Sequence, residues 1–507
     1  MQSVNIASGW PSAPVIYEID TWPWLQRLQQ DLGGSPTLAD VPVQTWRAAV
    51  PAGVDAVWLM GVWQRSPAGL SIARDNEDLQ RSFQAALPDL QESDVVGSPY
   101  CVRDYQVDER LGGRDGLAVA RTRLAECGLR LVLDYVPNHV APDHPWTTEH
   151  PEYFVRADAA DLQESPGSWI EIDGQVLARG RDPYFAPWPD VVQLNAFDPG
   201  LRRATADVLI SIGEQCDGVR CDMAMLLTSD VFSRTWGARV GAPPSAEYWP
   251  ELIARVRERH PGLVLIAEVY WDLEWQLQEQ GFDFCYDKRL YDRLVHGDAG
   301  AVRGHLGADV GYQRRLLRFV ENHDEPRAAT TLAPGRYEAA STVIATLPGS
   351  TLWHDGQLEG RRVHLPVFLG RGPVEPVDEA RLKAGRELLA KVHDSRARHG
   401  DWSLLECTGW PDNPTHDDLL AWAWHTDGVP HHVVVVNLSA HSAQGRVGLP
   451  WPGLSGGDWS LTDLLSDQVY HRDGDELARQ GLYVDLPAWG SHLLQLQRRS
   501  PDPDEAI

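Results

Sequence analysis

Cationic side chains are scarce in this chain of 507 residues: Lys and Arg total 45 against 72 Asp and Glu, a formal net charge of -27. A surface that negative repels phosphate backbones and anionic lipids, and no Lys/Arg run builds a local basic groove. Nucleic-acid and membrane partners are therefore not expected. Cysteine is also rare. The six residues, Cys101, Cys127, Cys216, Cys221, Cys285 and Cys407, show no CxxC spacing, which argues against a zinc ribbon or a secreted disulfide scaffold. They read as reduced thiols, and the expected location is cytoplasmic. No apolar run approaches the ~18 residues of a membrane span, and Met1 to Trp10 lacks the basic and apolar regions of a signal peptide. Phe (9) and Met (4) are few, whereas Trp (21) is plentiful; flat indole faces suit sugar rings, although core packing would use them too. With 43% hydrophobic and 23% charged residues the chain has an ordinary globular balance. Its length allows two to four domains, or one large barrel with attachments.

From about residue 15 to 350, short apolar runs alternate with amphipathic helical stretches. Val15–Ile19, Ala56–Leu59, Leu129–Asp134, Gly218–Asp222, Leu263–Glu268 and Leu316–Val320 read as strands. Helices are expected over Asp115–Cys127 with Gly128 as the stop, Pro199–Gln215, Glu247–Arg259 and Glu379–Arg398. Repeated βα units of this number argue for an α/β fold, a (β/α)8 TIM barrel. Residues 140–197, rich in Pro, Asp, Trp and Gly, are too long for a simple loop and predict a small domain inserted after strand 3. Beyond residue 400 the text turns all-β, with Leu419–Trp424, His431–Leu438, Trp459–Leu464 and His492–Leu496 parted by turn residues. The expected organisation is a catalytic barrel at 1–139 and 198–400, the insert at 140–197, a C-terminal antiparallel β-sandwich at 401–497 and a frayed tail at 498–507.

In such a barrel the chemistry sits where the strands end. Four predicted strands end in polar clusters: Leu131 to His139 (LVLDYVPNH), Gly218 to Met225 (GVRCDMAM), Leu265 to Glu268 (LIAE) and Phe319 to Asp324 (FVENHD). An Asp after an apolar strand is a common loop-starting cap, so each segment alone is a weak signal. Together, in this order and separated by helices, they place carboxylates, imidazoles and a guanidinium around one rim.

The four segments resemble the four sequence regions of the α-amylase superfamily of retaining α-glycoside hydrolases. Ser98-Pro99-Tyr100 to Asp104-Tyr105, the insert and the C-terminal sandwich also match that pattern. The resemblance implies that Asp222 is the nucleophile, Glu268 the acid/base and Asp324 a stabiliser of the oxocarbenium-like transition state, the paired carboxylates lying about 5–5.5 Å apart. Burial and neighbouring carboxylates would raise the pKa of Glu268. Arg220, two residues before Asp222 on the same strand face, would keep Asp222 ionised. His139 and His323 would bond sugar hydroxyls and Tyr100 would stack beneath the reacting ring; satisfied core histidines and plain packing are the bland readings. Asp134 would organise the barrel. No cofactor is required. Asn138 matches a position that binds a structural calcium ion in many relatives, with Asp173 of the insert as one further oxygen donor; a solvated loop is the other reading.

Two departures blur the specificity. Met225-Leu226 stands where many relatives carry Lys-His, and Gly97 where chain-end-specific relatives carry Asp. The expected partner is an oligosaccharide or α-glucan substrate cleaved at α-1,4 bonds, with endo and exo action both open and no oligomeric state assigned. A transglycosylase or sugar isomerase acting on maltose, sucrose or trehalose through the same intermediate is the alternative. A catalytically silent carbohydrate-binding protein is remote, because all three carboxylates are present. A phosphate or nicotinamide enzyme lacks its Gly-rich fingerprint. Trp146, Trp169, Trp188 and Trp271 are candidate stacking platforms, with core burial expected for at least half.

Overall fold

The computed structural model describes residues 9–499. Most of Met1–Trp10 and of the expected tail 498–507 lies outside the described residues. Eight short parallel strands close on themselves: β1 (Val15–Asp20), β2 (Ala56–Met60), β3 (Arg130–Tyr135), β4 (Gly218–Cys221), β5 (Val264–Ala267), β6 (Phe284–Tyr286), β7 (Leu316–Arg318) and β8 (Ser350–His354). Neighbours in the ring are neighbours in sequence, and β8 returns to β1 with Val15 beside Thr351 and Glu18 beside His354. Side chains fill the inside and helices cover the outside. Every residue of β1, β2, β4 and β5 is therefore buried, which is why these strands read as nearly unbroken apolar runs.

The sequence signalled six of the eight strands. β6 is three residues, Phe-Cys-Tyr, between two aspartates, and β8 opens on Ser-Thr, so neither forms an apolar run. β8 depends on Gly349 (φ 92°), where a Cβ would come within 2.5 Å of the Leu316 carbonyl oxygen. The helices Gly113–Glu126, Pro199–Gly213, Tyr248–Arg259 and Glu379–Asp394 occupy the expected stretches. Gly128, at φ 78°, follows the first of them.

Two excursions leave the top of the barrel. The first, unanticipated, follows β2: a hairpin of Trp63–Arg65 with Val102–Val107 enclosing the helices Pro67–Asp75 and Glu77–Ala86. It carries Tyr100. The second follows β3. His139–Val140 pairs antiparallel with Val192–Gln193, and between them lies a three-stranded sheet of Arg156–Ala157, Gln175–Ala178 and Trp169–Ile172. Val140, Phe154, Leu177, Val192, Leu194 and Leu201 give this part its own small core.

After residue 400 the strands form a six-stranded antiparallel sheet, facing a three-stranded one made of Cys407–Thr408, Ala443–Val447 and Leu482–Leu486. Strand alternation divides the labour. Along Val429–Asn437, Val433 and Val435 enter the sandwich core while Val434 and Val436 join the barrel's core. On the neighbouring strand Leu419–Thr426, Trp424 seals the seam by donating its Nε1–H to the Thr346 carbonyl oxygen at 2.8 Å. Trp424→Ala empties that buried position at a cost of about 3–5 kcal/mol. The expected result is a lower thermal midpoint in calorimetry, and an unchanged midpoint would mean the seam does not contribute to stability.

Candidate active site

β3, β4 and β5 lie side by side in register, with Arg220 opposite Asp134 on one side and Ile266 on the other. The ladder continues one step past the strand ends. The Asp222 N–H donates to the Tyr135 carbonyl at 2.8 Å and the Glu268 N–H to the Cys221 carbonyl at 3.0 Å. Both acidic residues thus leave the barrel mouth from anchored backbone.

Arg220 joins them. Its Nη1 donates to Asp222 Oδ1 at 2.9 Å and to Asp134 Oδ1 at 3.3 Å, and its Nη2 to Glu268 Oε2 at 2.7 Å. The guanidinium carbon lies 5.2 Å from the ring centres of both Trp58 and Tyr100. Glu268 is held from two further directions, by the Tyr270 hydroxyl on Oε1 and the Met223 N–H on Oε2, both at 2.7 Å. Met223 adopts φ 42°, a left-handed turn rare for a side chain of its size, and this bend accompanies the reach of its N–H to Glu268. Asp134 accepts from Trp58 Nε1 at 3.0 Å and is buried beneath the pair.

Three buried carboxylates share this one cation, and Arg220 favours ionised Asp222 in the expected direction while burial outweighs it. Burial, opposed by Arg220 and reinforced by Glu268 and Asp324, pushes the Asp222 carboxyl up to about 8. Proton binding at Asp222 is therefore favoured well above the ordinary carboxylate range.

His323 organises the third carboxylate. Its Nε2 lies 2.6 Å from the Tyr100 hydroxyl and 3.0 Å from Asp324 Oδ2, and its Nδ1 lies 2.5 Å from Glu18 Oε1. Against the burial that opposes it, the flanking Asp324 and Glu18 carboxylates hold the imidazole well above its ordinary pKa. Asp324 in turn is lowered to about 2 by His323, against its own desolvation. Its side chain remains 45% exposed, open to the pocket. Asn322 fixes the turn by accepting the backbone N–H groups of Asp324 and Glu325, each at 2.9 Å.

These groups surround a cavity of about 360 Å³ lined by Tyr100, His139, Trp188, Asp222, Glu268 and Asp324, among others. Arg220, and His323 that was expected to contact sugar, lie behind this wall with 1% and 2% exposure and their polar atoms already engaged. They position the carboxylates. His139 does line the pocket; burial lowers its pKa to about 4, leaving a neutral ring packed 5.1 Å from Trp188. Of the other tryptophans, Trp271 lines an adjoining cavity of about 390 Å³ that shares Met223 and Tyr270 with the first. Trp146 packs on Tyr153 inside the insert, and Trp169 is buried under Arg239. Half are therefore structural.

Sequence reasoning missed Glu18, Tyr270 and Asp190. Glu18 had a signal, since it is the one charge inside the apolar run Val15–Ile19. Tyr270 follows Glu268 by two residues and had none. Asp190, a buried pocket carboxyl raised to about 6 by desolvation, was hidden in the insert's polar text. Asn138 is buried and fully engaged by Gln193, whereas Asp173 sits exposed at φ 47° in the hairpin turn Asp173-Gly174. No carboxylate is among the hydrogen-bond partners of Asn138, and the residues present do not fit a calcium ion.

A closed parallel barrel that presents carboxylates from the ends of adjacent strands defines a (β/α)8-barrel enzyme. Residues 52–281 match the family model described as the alpha amylase catalytic domain. Alpha-amylase MalA of Haloarcula japonica is 25% identical over 478 residues, 92% of this chain and 60% of MalA. The trehalose synthase/amylase TreS of Mycobacterium tuberculosis is 26% identical over 203 residues, 36% of this chain and 32% of TreS. Among solved structures, the maltogenic α-amylase AmyB of Thermotoga neapolitana aligns with a TM-score of 0.66 at 17% identity, covering 96% of this chain and 99% of AmyB. Over residues 52–281 the chain is thus similar to the alpha amylase catalytic domain. It spans only 60% of MalA and 58% of Alpha-amylase 3 of Dictyoglomus thermophilum.

Loss of the proton that Asp222 holds up to about 8 leaves the carboxylate cluster with none to give a leaving oxygen, so kcat/KM should fall as pH rises through about 8. Glu18→Gln removes a charge that keeps His323 protonated. It should lower the pH at which His323 loses its proton, and with it the charge that holds Asp324 ionised, and reduce kcat ~10-fold, the equivalent of ~1.5 kcal/mol for one hydrogen bond to a charged group. A variant whose pH–rate profile overlays the parent's would show that Glu18 is only packing.

Proposed function

We propose that this chain is a retaining α-glycosidase acting on α-1,4-linked malto-oligosaccharides or α-glucans. The observation that carries the reading is the Arg220 bridge. Retaining pairs lie ~5–5.5 Å apart and inverting pairs ~6.5–9.5 Å, and one guanidinium bonded to both Asp222 and Glu268, at 2.9 and 2.7 Å, supports the close arrangement. Asp222 attacks the anomeric carbon while Glu268 gives its proton to the leaving oxygen; the glycosidic bond breaks as the Asp222 ester forms. Glu268, now charged, takes a proton from water, whose oxygen displaces Asp222 and restores both groups. Asp324, ionised and facing the pocket, bonds ring hydroxyls as positive charge develops.

A second reading, transfer to a sugar acceptor, is favoured by the adjoining cavity on the Glu268 side, walled by Tyr270 and Trp271, which leaves room for an acceptor beside the acid/base. Similarity to TreS and to the alpha-1,4-glucan:maltose-1-phosphate maltosyltransferase of Pseudomonas aeruginosa supports keeping it. All six cysteines are free thiols, which supports a reducing, cytoplasmic setting. Among the described residues no helix is long and apolar enough to cross a membrane.

Proton NMR of the enzyme with maltoheptaose, followed from the first minutes, separates the readings. Shorter sugars released first as the α-anomer are expected for retaining hydrolysis. Longer as well as shorter chains, without net gain of reducing ends, indicate transfer. Initial β-anomer product would overturn the retaining assignment. Asp222→Asn should abolish both outcomes without loss of fold, and Glu268→Gln should slow them ~10²–10⁴-fold.

A further inference from the structure

Three carbonyl-type oxygens converge where β3 hands over to the insert. Gln193 Nε2 lies 2.9 Å from the Asn138 carbonyl oxygen, 2.9 Å from Asn138 Oδ1 and 3.0 Å from the Leu194 carbonyl oxygen. In return Asn138 Nδ2 donates to Gln193 Oε1 at 3.2 Å, closing a two-way amide pair, and the Arg181 N–H approaches the same oxygen at 3.4 Å. Gln193 is 0% exposed and Asn138 1%. The Asn138 carbonyl oxygen also accepts the Leu194 N–H at 3.1 Å, and His139 Nδ1 lies 3.3 Å from Asn138 Nδ2, on a ring that burial keeps neutral.

A buried knot of neutral oxygens drawn from two segments is the outline of a hard-cation shell, but such ions take six to eight oxygens and rely on carboxylates. This centre has three oxygens, no carboxylate and a nitrogen in the middle. Two N–H groups spread over three acceptors satisfy the same oxygens with no net charge, so no ion has to be stripped of water. Among the described residues, the one group of three or more His, Cys, Asp or Glu ligand atoms close enough for a metal is Glu18, Asp20 and His354. That group lies in the barrel, engaged with His323, Arg327 and Glu321.

We propose that the Gln193 amide stands in for a structural cation, so that this chain fixes its insert to the barrel without calcium. The consequence reaches the pocket. Gln193 is paired in register with His139, so the same amide that replaces the ion anchors the strand carrying a pocket-lining imidazole. The inference does not depend on which sugar reaction the site performs.

The test uses the whole chain with calcium itself as probe. After dialysis against EDTA, elemental analysis should find far less than one calcium per chain, and the thermal midpoint should be the same in chelator and in millimolar calcium. Gln193→Glu places a carboxylate among the three oxygens and removes both donors. Its midpoint should drop by several degrees in chelator and recover on adding calcium; solubility only in calcium counts as the same result. Gln193→Leu should be destabilised with no recovery. Tightly held calcium in the parent, a parent midpoint that falls in chelator and returns with calcium, or a Gln193→Glu variant indifferent to the ion would each overturn the proposal.

Discussion

One guanidinium holds this active site together. Arg220, 1% exposed, bonds Asp134, Asp222 and Glu268 from inside the barrel. Three carboxylates so close would repel one another strongly in a buried setting, and an arginine without partners there would be equally costly. The planar fork resolves both by aiming its two terminal nitrogens at the two acids that must work as a pair. Burial and the neighbouring acids outweigh that one charge at Asp222, whose carboxyl is raised.

The electrostatics extend from this centre into barrel closure. Glu18 on β1 grips His323, which bonds Asp324 and Tyr100. Beside Glu18 in register is His354 on β8, which meets Asp20 and Glu321, and Arg327 ties Glu321 at 2.6 Å. The seam where the eighth strand meets the first is thus lined with paired charges that reach the reacting centre. Correct closure and a correctly charged Asp324 are one condition.

Much of this was legible in the sequence, for physical reasons. Strands buried on both faces leave apolar runs, and their polar ends mark the rim, so Asp222, Glu268 and Asp324 could be read directly. Arg220 was legible as a neighbour of Asp222, but its real work, dividing one charge among three acids, depends on the register between β3, β4 and β5. The short β6, the polar-started β8 and the hairpin excursion after β2 left no periodic signal. Tyr270 and Gln193 were invisible for a further reason: each matters through one atom meeting a partner distant in sequence or turned by a local bend. In the sandwich, the unbroken Val433–Val436 run showed a strand but not that its two faces serve different cores.

The central claim is that Asp222, held beside Glu268 by Arg220, forms the covalent bond to sugar. The most direct measurement is mass spectrometry of peptides after reaction with an activated fluoro-glucosyl substrate whose glycosyl-enzyme hydrolyses slowly. One hexosyl adduct on the peptide containing Asp222, absent in Asp222→Asn, is the expected result. An adduct on Glu268 or Asp324, or turnover of the same substrate with no adduct and inverted product, would contradict it.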